Sequence, residues 1–179
     1  GPHAVGRDIA RHFVGTAADN VKRTPNRHDY PLKPTSPTIM DKLIASGRTV
    51  LATGKIDDLF ANQGITRSAH SAENDKAMAA TVAFAEEKFE GLLFANLVEF
   101  DMTYGHRNDA AGYANALAAF DRQLPELQAR MGPEDIAMIV ADHGVDPTTP
   151  GTDHTREFIP LLVFGPRVRA NINLGVRKT

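Results

Sequence analysis

Leu92-Leu93-Phe94-Ala95-Asn96-Leu97-Val98, running straight into Glu99-Phe100-Asp101-Met102-Thr103-Tyr104-Gly105-His106, is the stretch that decides the fold. The first seven residues are uncharged and almost all apolar, which predicts a strand buried on both faces. The sudden appearance of acids and a histidine places polar chemistry at the carboxyl end of that strand. Helical patterns lie on both sides. One covers about Asn74 to Lys88; the other runs from about Asp109 to Met131, with Tyr113, Leu117, Phe120, Leu124, Leu127 and Met131 at spacings of three or four and Gly132-Pro133 closing it. Farther out, Thr49–Thr53 leads into Gly54-Lys55, and Ile136–Ala141 and Leu161–Phe164 form two more short apolar runs. Ser36-Pro37 reads as an N-cap and first turn for a helix carrying Ile39, Leu43 and Ile44, stopped by Gly47. Helices alternating with continuous apolar strands predict an α/β fold, a mostly parallel sheet flanked by helices.

Residues 1–35 differ from the rest. They contain Pro2, Pro25, Pro31 and Pro34 and the cations Arg7, Arg11, Lys22, Arg23, Arg27 and Lys33, which predict a basic, loop-rich arm with one extended piece near Val5–Val14. Over all 179 residues, 20 Lys and Arg stand against 22 Asp and Glu, a net charge of -2, so no global attraction draws the chain to nucleic acid or an anionic membrane. The absence of cysteine excludes disulfides, thiolate metal sites and cysteine nucleophiles. No apolar run approaches the roughly 18 residues of a membrane span, and the expected location is the cytoplasm.

Ligands of open α/β sheets gather beyond the carboxyl ends of the strands. Asp101 and His106 follow one strand, Asp142-His143-Gly144 follows another, and His154 lies in the nearby stretch Gly151-Thr152-Asp153-His154-Thr155-Arg156-Glu157. A single Asp-His pair at a strand end is commonly a cap or surface turn, but five carboxylate and imidazole ligands on two strand ends and one loop suit a divalent metal. Five are more than one tetrahedral ion needs, and paired ions about 3.5 to 4 Å apart are a recurring device of phosphoryl chemistry.

These blocks resemble the bacterial phosphopentomutase family of the alkaline phosphatase superfamily. Asn96–Asp101, Tyr104-Gly105-His106-Arg107, Ala141–Gly144 and Gly151–Glu157 carry the likeness, together with Gly6-Arg7, Ile9-Ala10-Arg11, Arg23–Tyr30 and Gly54-Lys55-Ile56. The resemblance implies an isomerase that interconverts ribose 1-phosphate and ribose 5-phosphate, and their deoxy forms, using two Mn2+ ions, or other divalent metals, and a phosphothreonine. It implies that Asp101, His106 and His154 hold one ion and Asp142 and His143 the other, that Arg7, Arg23 and Lys55 grip a distal phosphate, and that Ile9 lies beside the sugar. Charge alone would read the three cations as solvated surface. Asp8, next to Arg7, and Val145, after Gly144, depart from the family pattern.

The likeness further implies a C-terminal portion: residues 1–31 as the tail of a cap domain and 32–179 as part of the metal-binding core. The nucleophilic threonine would then belong to the missing N-terminal half, a partner without which this chain is expected to be inactive. The substrate partner is a pentose phosphate, with no nucleic acid and no membrane. Other mutases or phosphodiesterases of the superfamily share the Asp-His-Gly logic, and a non-catalytic metal-binding module is the reading from a different class.

Overall fold

The first helix begins two residues later than Ser36-Pro37 suggests. In the computed structural model, which describes residues 7–177 and only the backbone at 7, 9, 11 and 23–29, α1 spans Ile39–Ala45 with Thr38 as its N-cap. The reason is the residue three positions on. Thr38 Oγ1 accepts the Asp41 N–H at 3.3 Å while Asp41 Oδ2 accepts the Thr38 N–H at 2.7 Å, a reciprocal pair that Ser36, followed by apolar Ile39, cannot make.

The chain forms two compact units. One takes residues up to Ser71 together with Phe89–Asn96; the other takes Ala72–Lys88 and everything from Leu97.

In the first unit, β3 (Thr49–Gly54) is the middle of a parallel sheet, with β4 (Arg67–His70) on one side and β5 (Gly91–Ala95) on the other. Val50, Leu51 and Ala52 are buried, as an interior parallel strand requires. Met40, Val50, Ala52 and Ile56 make the core, surrounded by Leu43, Phe60, Ile65, Leu92 and Phe94. Polar β4 and the single-turn α2 (Ile56–Leu59) carry no apolar pattern and lie outside the sequence expectation. The expected loop-rich arm is instead an antiparallel ribbon, β1 (Arg7–Val14) with β2 (Lys22–Pro31). Asn20 closes its turn by accepting the N–H groups of Thr16 and Ala17 at 2.9 and 3.0 Å. Pro25 is tolerated because the register shifts opposite it, between Arg11 and Phe13, and both strands are edges.

The second unit contains α3 (Asn74–Ala85) and α4 (Ala110–Gln128), the latter capped by Asp109, which accepts the Gly112 N–H at 2.8 Å. Gln123 to Asp75 and Arg130 to Glu86, each 2.8 Å, tie the two helices together. The α/β class with a parallel sheet flanked by helices is as expected, and β6 (Ala137–Val140) and β7 (Leu161–Phe164) add a separate pair in antiparallel register. The connection between them folds back on itself through a Gly144–Thr155 bridge, so the strands return side by side in opposite directions; parallel pairing needs a crossover that this loop does not supply. No helix among the described residues is long and apolar enough to cross a membrane.

Candidate metal centre

Three pieces of the second unit converge. The chain after Val98 winds into a one-turn π-helix, Phe100–Tyr104, and then a 3-10 turn, Gly105–Arg107. Wide turns of this kind recur at functional sites; here they set Asp101 and His106 side by side. The third piece is the folded-back loop between β6 and β7, which carries Asp142, His143 and His154.

Close packing holds the turn and the loop in place. Gly105 has no room for a Cβ, which would strike the Val145 side chain and the Phe100 carbonyl. The Val145 that departs from the family pattern is thus the residue seated on Gly105. Asn108 takes a left-handed conformation, φ 53°, and donates from Nδ2 to the Thr149 carbonyl at 2.9 Å. Asp146 shapes the loop itself: hydrogen bonds from the Thr148 hydroxyl and N–H and the Thr149 hydroxyl hold its carboxyl below the ordinary range.

At the centre lies Asp101. Its Oδ1 is buried and has no hydrogen-bond partner among the described residues, yet it stands 3.2 Å from His106 Nε2 and 3.3 Å from His154 Nε2. His106 is oriented from behind by a 2.6 Å contact between Nδ1 and the Thr152 carbonyl. A carbonyl only accepts, so Nδ1 carries the proton and, in the neutral ring, Nε2 keeps a lone pair free to ligate. Nε2 and Asp101 Oδ1 therefore stand side by side as two acceptors without a hydrogen bond between them, an arrangement that a cation held by both makes favourable. His143 repeats the device, with Nδ1 on the Gly144 carbonyl at 3.1 Å and Nε2 3.7 Å from Asp142 Oδ1.

His154 links the two sets. Its ring stacks on His143 with centroids 3.7 Å apart and lies 5.0 Å from His106. Nearby, burial and the negative charge of Asp101 both push the Tyr113 hydroxyl above its ordinary pKa. The ligand atoms of Asp101, His106 and His154 lie within 4.8 Å of one another, close enough for one ion.

The structure thus brings three of the five sequence-predicted ligands, Asp101, His106 and His154, within reach of one ion; His143 stacks on His154, and Asp142 stands 3.7 Å from His143 with its own side chain 83% exposed. Lys55 belongs to the first unit, directly after Gly54, where φ is 76° and any Cβ would collide with the Asn96 carbonyl. Arg7, Ile9 and Arg23 have their backbones on β1 and β2, while their side chains lie outside the described residues.

Sequence reasoning missed several contributors. The Thr152 carbonyl is a backbone group without a side-chain signature. In the first unit, Asp57, Asp58 and His70 also cluster, with His70 Nδ1 2.9 Å from Asp57 Oδ1. Their only signal was an acidic pair after Ile56, because polar β4 conceals that it brings His70 opposite Gly54.

Similarity to known proteins agrees with this chemistry. Over its full length the chain is 58% identical to the phosphopentomutase of Herpetosiphon aurantiacus, 55% to that of Caldanaerobacter subterraneus subsp. tengcongensis and 52% to that of Carboxydothermus hydrogenoformans. It spans 46%, 45% and 46% of those proteins, a little under half of each. The carboxylates and imidazoles that converge here all fall inside residues 14–179, the stretch that matches the profile of the Metalloenzyme superfamily, and the chain belongs to that superfamily.

Proposed function

We propose that this chain is the metal-binding part of a phosphopentomutase, which interconverts (deoxy)ribose 1-phosphate and (deoxy)ribose 5-phosphate in the cytoplasm. The observation that carries the reading is Asp101 Oδ1, buried without a donor and facing two imidazole nitrogens. Asp101, His106 and His154 would hold one divalent ion, and Asp142 and His143 the other, both Mn2+. Bound there, the ions would neutralise charge on a transferring phosphoryl group.

This chain's own residues would do the rest. The Thr152 and Gly144 carbonyls keep the protons of His106 and His143 on Nδ1, leaving Nε2 free to ligate. Arg7, Arg23 and Lys55 would hold the sugar phosphate by its distal end, Arg through its planar fork and Lys as a point charge, with Ile9 along the sugar. Holding the substrate in this way lowers the entropic part of the barrier. The reading treats residues 1–31 as cap and 32–179 as core, and draws the phosphothreonine nucleophile from the remaining length of a full phosphopentomutase. Exposed apolar residues on β6 and β7, Met138, Val140, Leu161 and Leu162, support a binding partner of that kind.

The test is direct. Mn2+ at about one hundred times its dissociation constant stabilises a single-site protein by about 2.7 kcal/mol, or roughly 5–10 °C in Tm for a chain of this size. Asp101→Ala and His154→Ala are each expected to remove, in a thermal melt, the share of that shift that comes from the ion they would hold. Supplied with ribose 1-phosphate and Mn2+, the chain alone is expected to show little or no turnover, and turnover to appear once the remaining half is added. No Mn2+ shift in the unmodified chain, or full turnover without the other half, overturns the reading.

A further inference from the structure

We infer that Asn74, at the start of α3, is a positioning residue for Asp101, acting through a reciprocal clamp with Glu99. The inference rests on the proposed role of Asp101 as a metal ligand. The two residues are 25 positions apart and exchange two hydrogen bonds. The Asn74 N–H donates to Glu99 Oε2 at 2.7 Å, and the Glu99 N–H donates to Asn74 Oδ1 at 3.1 Å.

This is the logic of a capping box made between two segments instead of within one. It serves both ends. Glu73, which precedes α3, makes no side-chain cap, so the Glu99 carboxylate satisfies a free N–H in the first turn of that helix. In return, Asn74 fixes the backbone of Glu99, the residue from which the π-turn Phe100–Tyr104 starts, two positions before Asp101.

Burial sharpens the case. Asn74 is 9% exposed, and its Nδ2 is buried without a hydrogen-bond partner among the described residues. The unpaired Nδ2 costs stability, while the other end of the same amide, Oδ1, is the atom that holds Glu99. A π-turn is a rare, single-turn element found mostly at functional sites, and here its entry is held by Asn74 from another segment. Displacing that entry would move Asp101 Oδ1 away from the 3.2 and 3.3 Å positions it holds against His106 and His154.

The experiment measures Mn2+ affinity of the full chain by titration calorimetry and by the electron paramagnetic resonance signal of free Mn2+, beside a thermal melt without metal. Outer contacts of metal ligands commonly carry 10- to 100-fold in affinity. Asn74→Ala and Glu99→Ala are each expected to weaken Mn2+ binding by about tenfold, and the double variant by no more than either single one. Glu99→Gln keeps an acceptor for the Asn74 N–H and is expected to retain affinity; Glu99→Asp, one methylene shorter, keeps the charge but loses reach and is expected to bind several-fold more weakly. That last pair stands in if the alanine variants do not fold. Met78→Ala, buried in the same helix, is the control for mere destabilisation: Tm should fall with Mn2+ affinity unchanged. Unchanged affinity in Asn74→Ala and Glu99→Asp, or fully additive losses, overturns the clamp while leaving the metal site standing. Failure of the unmodified chain to bind Mn2+ overturns the metal reading and the clamp with it.

Discussion

The strands β3 and β6 are similar as sequence and opposite in setting. β3 has a parallel neighbour on each side, and Val50, Leu51 and Ala52 are buried to 3% exposure or less. β6 has one antiparallel neighbour, and Met138 and Val140 are 65% and 56% exposed. An apolar run states a demand for burial; whether it is met depends on what packs against it. In the first unit Met40 and Leu43 of α1, with Phe60 and Phe94 at a 6.2 Å ring separation, meet that demand. In the β6–β7 ribbon the loop chemistry is formed while much of the apolar surface stays open.

The sharpest way to break this contrast is a matched pair of identical substitutions. Met40→Ala, at 1% exposure, is expected to cost about 2–5 kcal/mol through lost burial and the cavity left behind. Met138→Ala should change stability by no more than about 0.5 kcal/mol. Equal losses in urea unfolding would show that β6 is as well covered as β3.

Next in size is Gly105→Ala, which probes a tightly packed contact of the turn with the loop of the second unit. The added methyl meets Val145 and the Phe100 carbonyl, an overpacking worth about 1–3 kcal/mol, and Mn2+ affinity should fall with it. Val145→Ala in the same chain should restore part of both, since the carbonyl contact remains. A Gly105→Ala protein with unchanged melting and Mn2+ binding would show that the turn and loop are not packed as described.

The smallest effect belongs to α1. Thr38→Ala removes a capping oxygen and should cost about 1 kcal/mol in the urea midpoint at neutral pH. Its partner Asp41 supplies a pH signature. Hydrogen bonds from the Gln63 side chain, then from the Thr38 N–H and hydroxyl, hold its carboxyl below the ordinary range. A depressed folded-state pKa contributes stability that is present above the unfolded value of about 3.9 and is lost as pH falls through the folded one. Asp41→Asn should therefore flatten the acid limb of stability below about pH 4. An acid limb identical to that of the unmodified chain would show that the capping box is not formed in solution.

Legibility followed the physics of each element. α4 was plain because its apolar residues recur at helical spacing and Gly132-Pro133 follow it. α3 was placed correctly at Asn74, though it ends at Ala85, three residues short of Lys88. β5 stops at Ala95, and Leu97 and Val98, apolar as they are, belong to the approach to the π-turn. β4 stayed hidden because Arg67-Ser68-Ala69-His70 is a polar edge strand whose partner, not its pattern, makes it a strand. The five proposed ligands stand out in the sequence because carboxylates and imidazoles at two strand ends and in one loop are chemistry written in side chains. The groups that orient them were not, since a carbonyl at Thr152 or an N–H at Glu99 is present at almost every position of any chain.

By itself, the sequence determined the α/β class and pointed to the strand ends and the candidate ligands. Periodicity and residue type are local properties, and they survive without a neighbour. Only the tertiary structure decided that β6 and β7 run antiparallel, that His154 stacks between His106 and His143, and that a buried Asp101 oxygen is left without a donor. Each of these is a relation between residues far apart in the chain, set by where the folded-back loop returns.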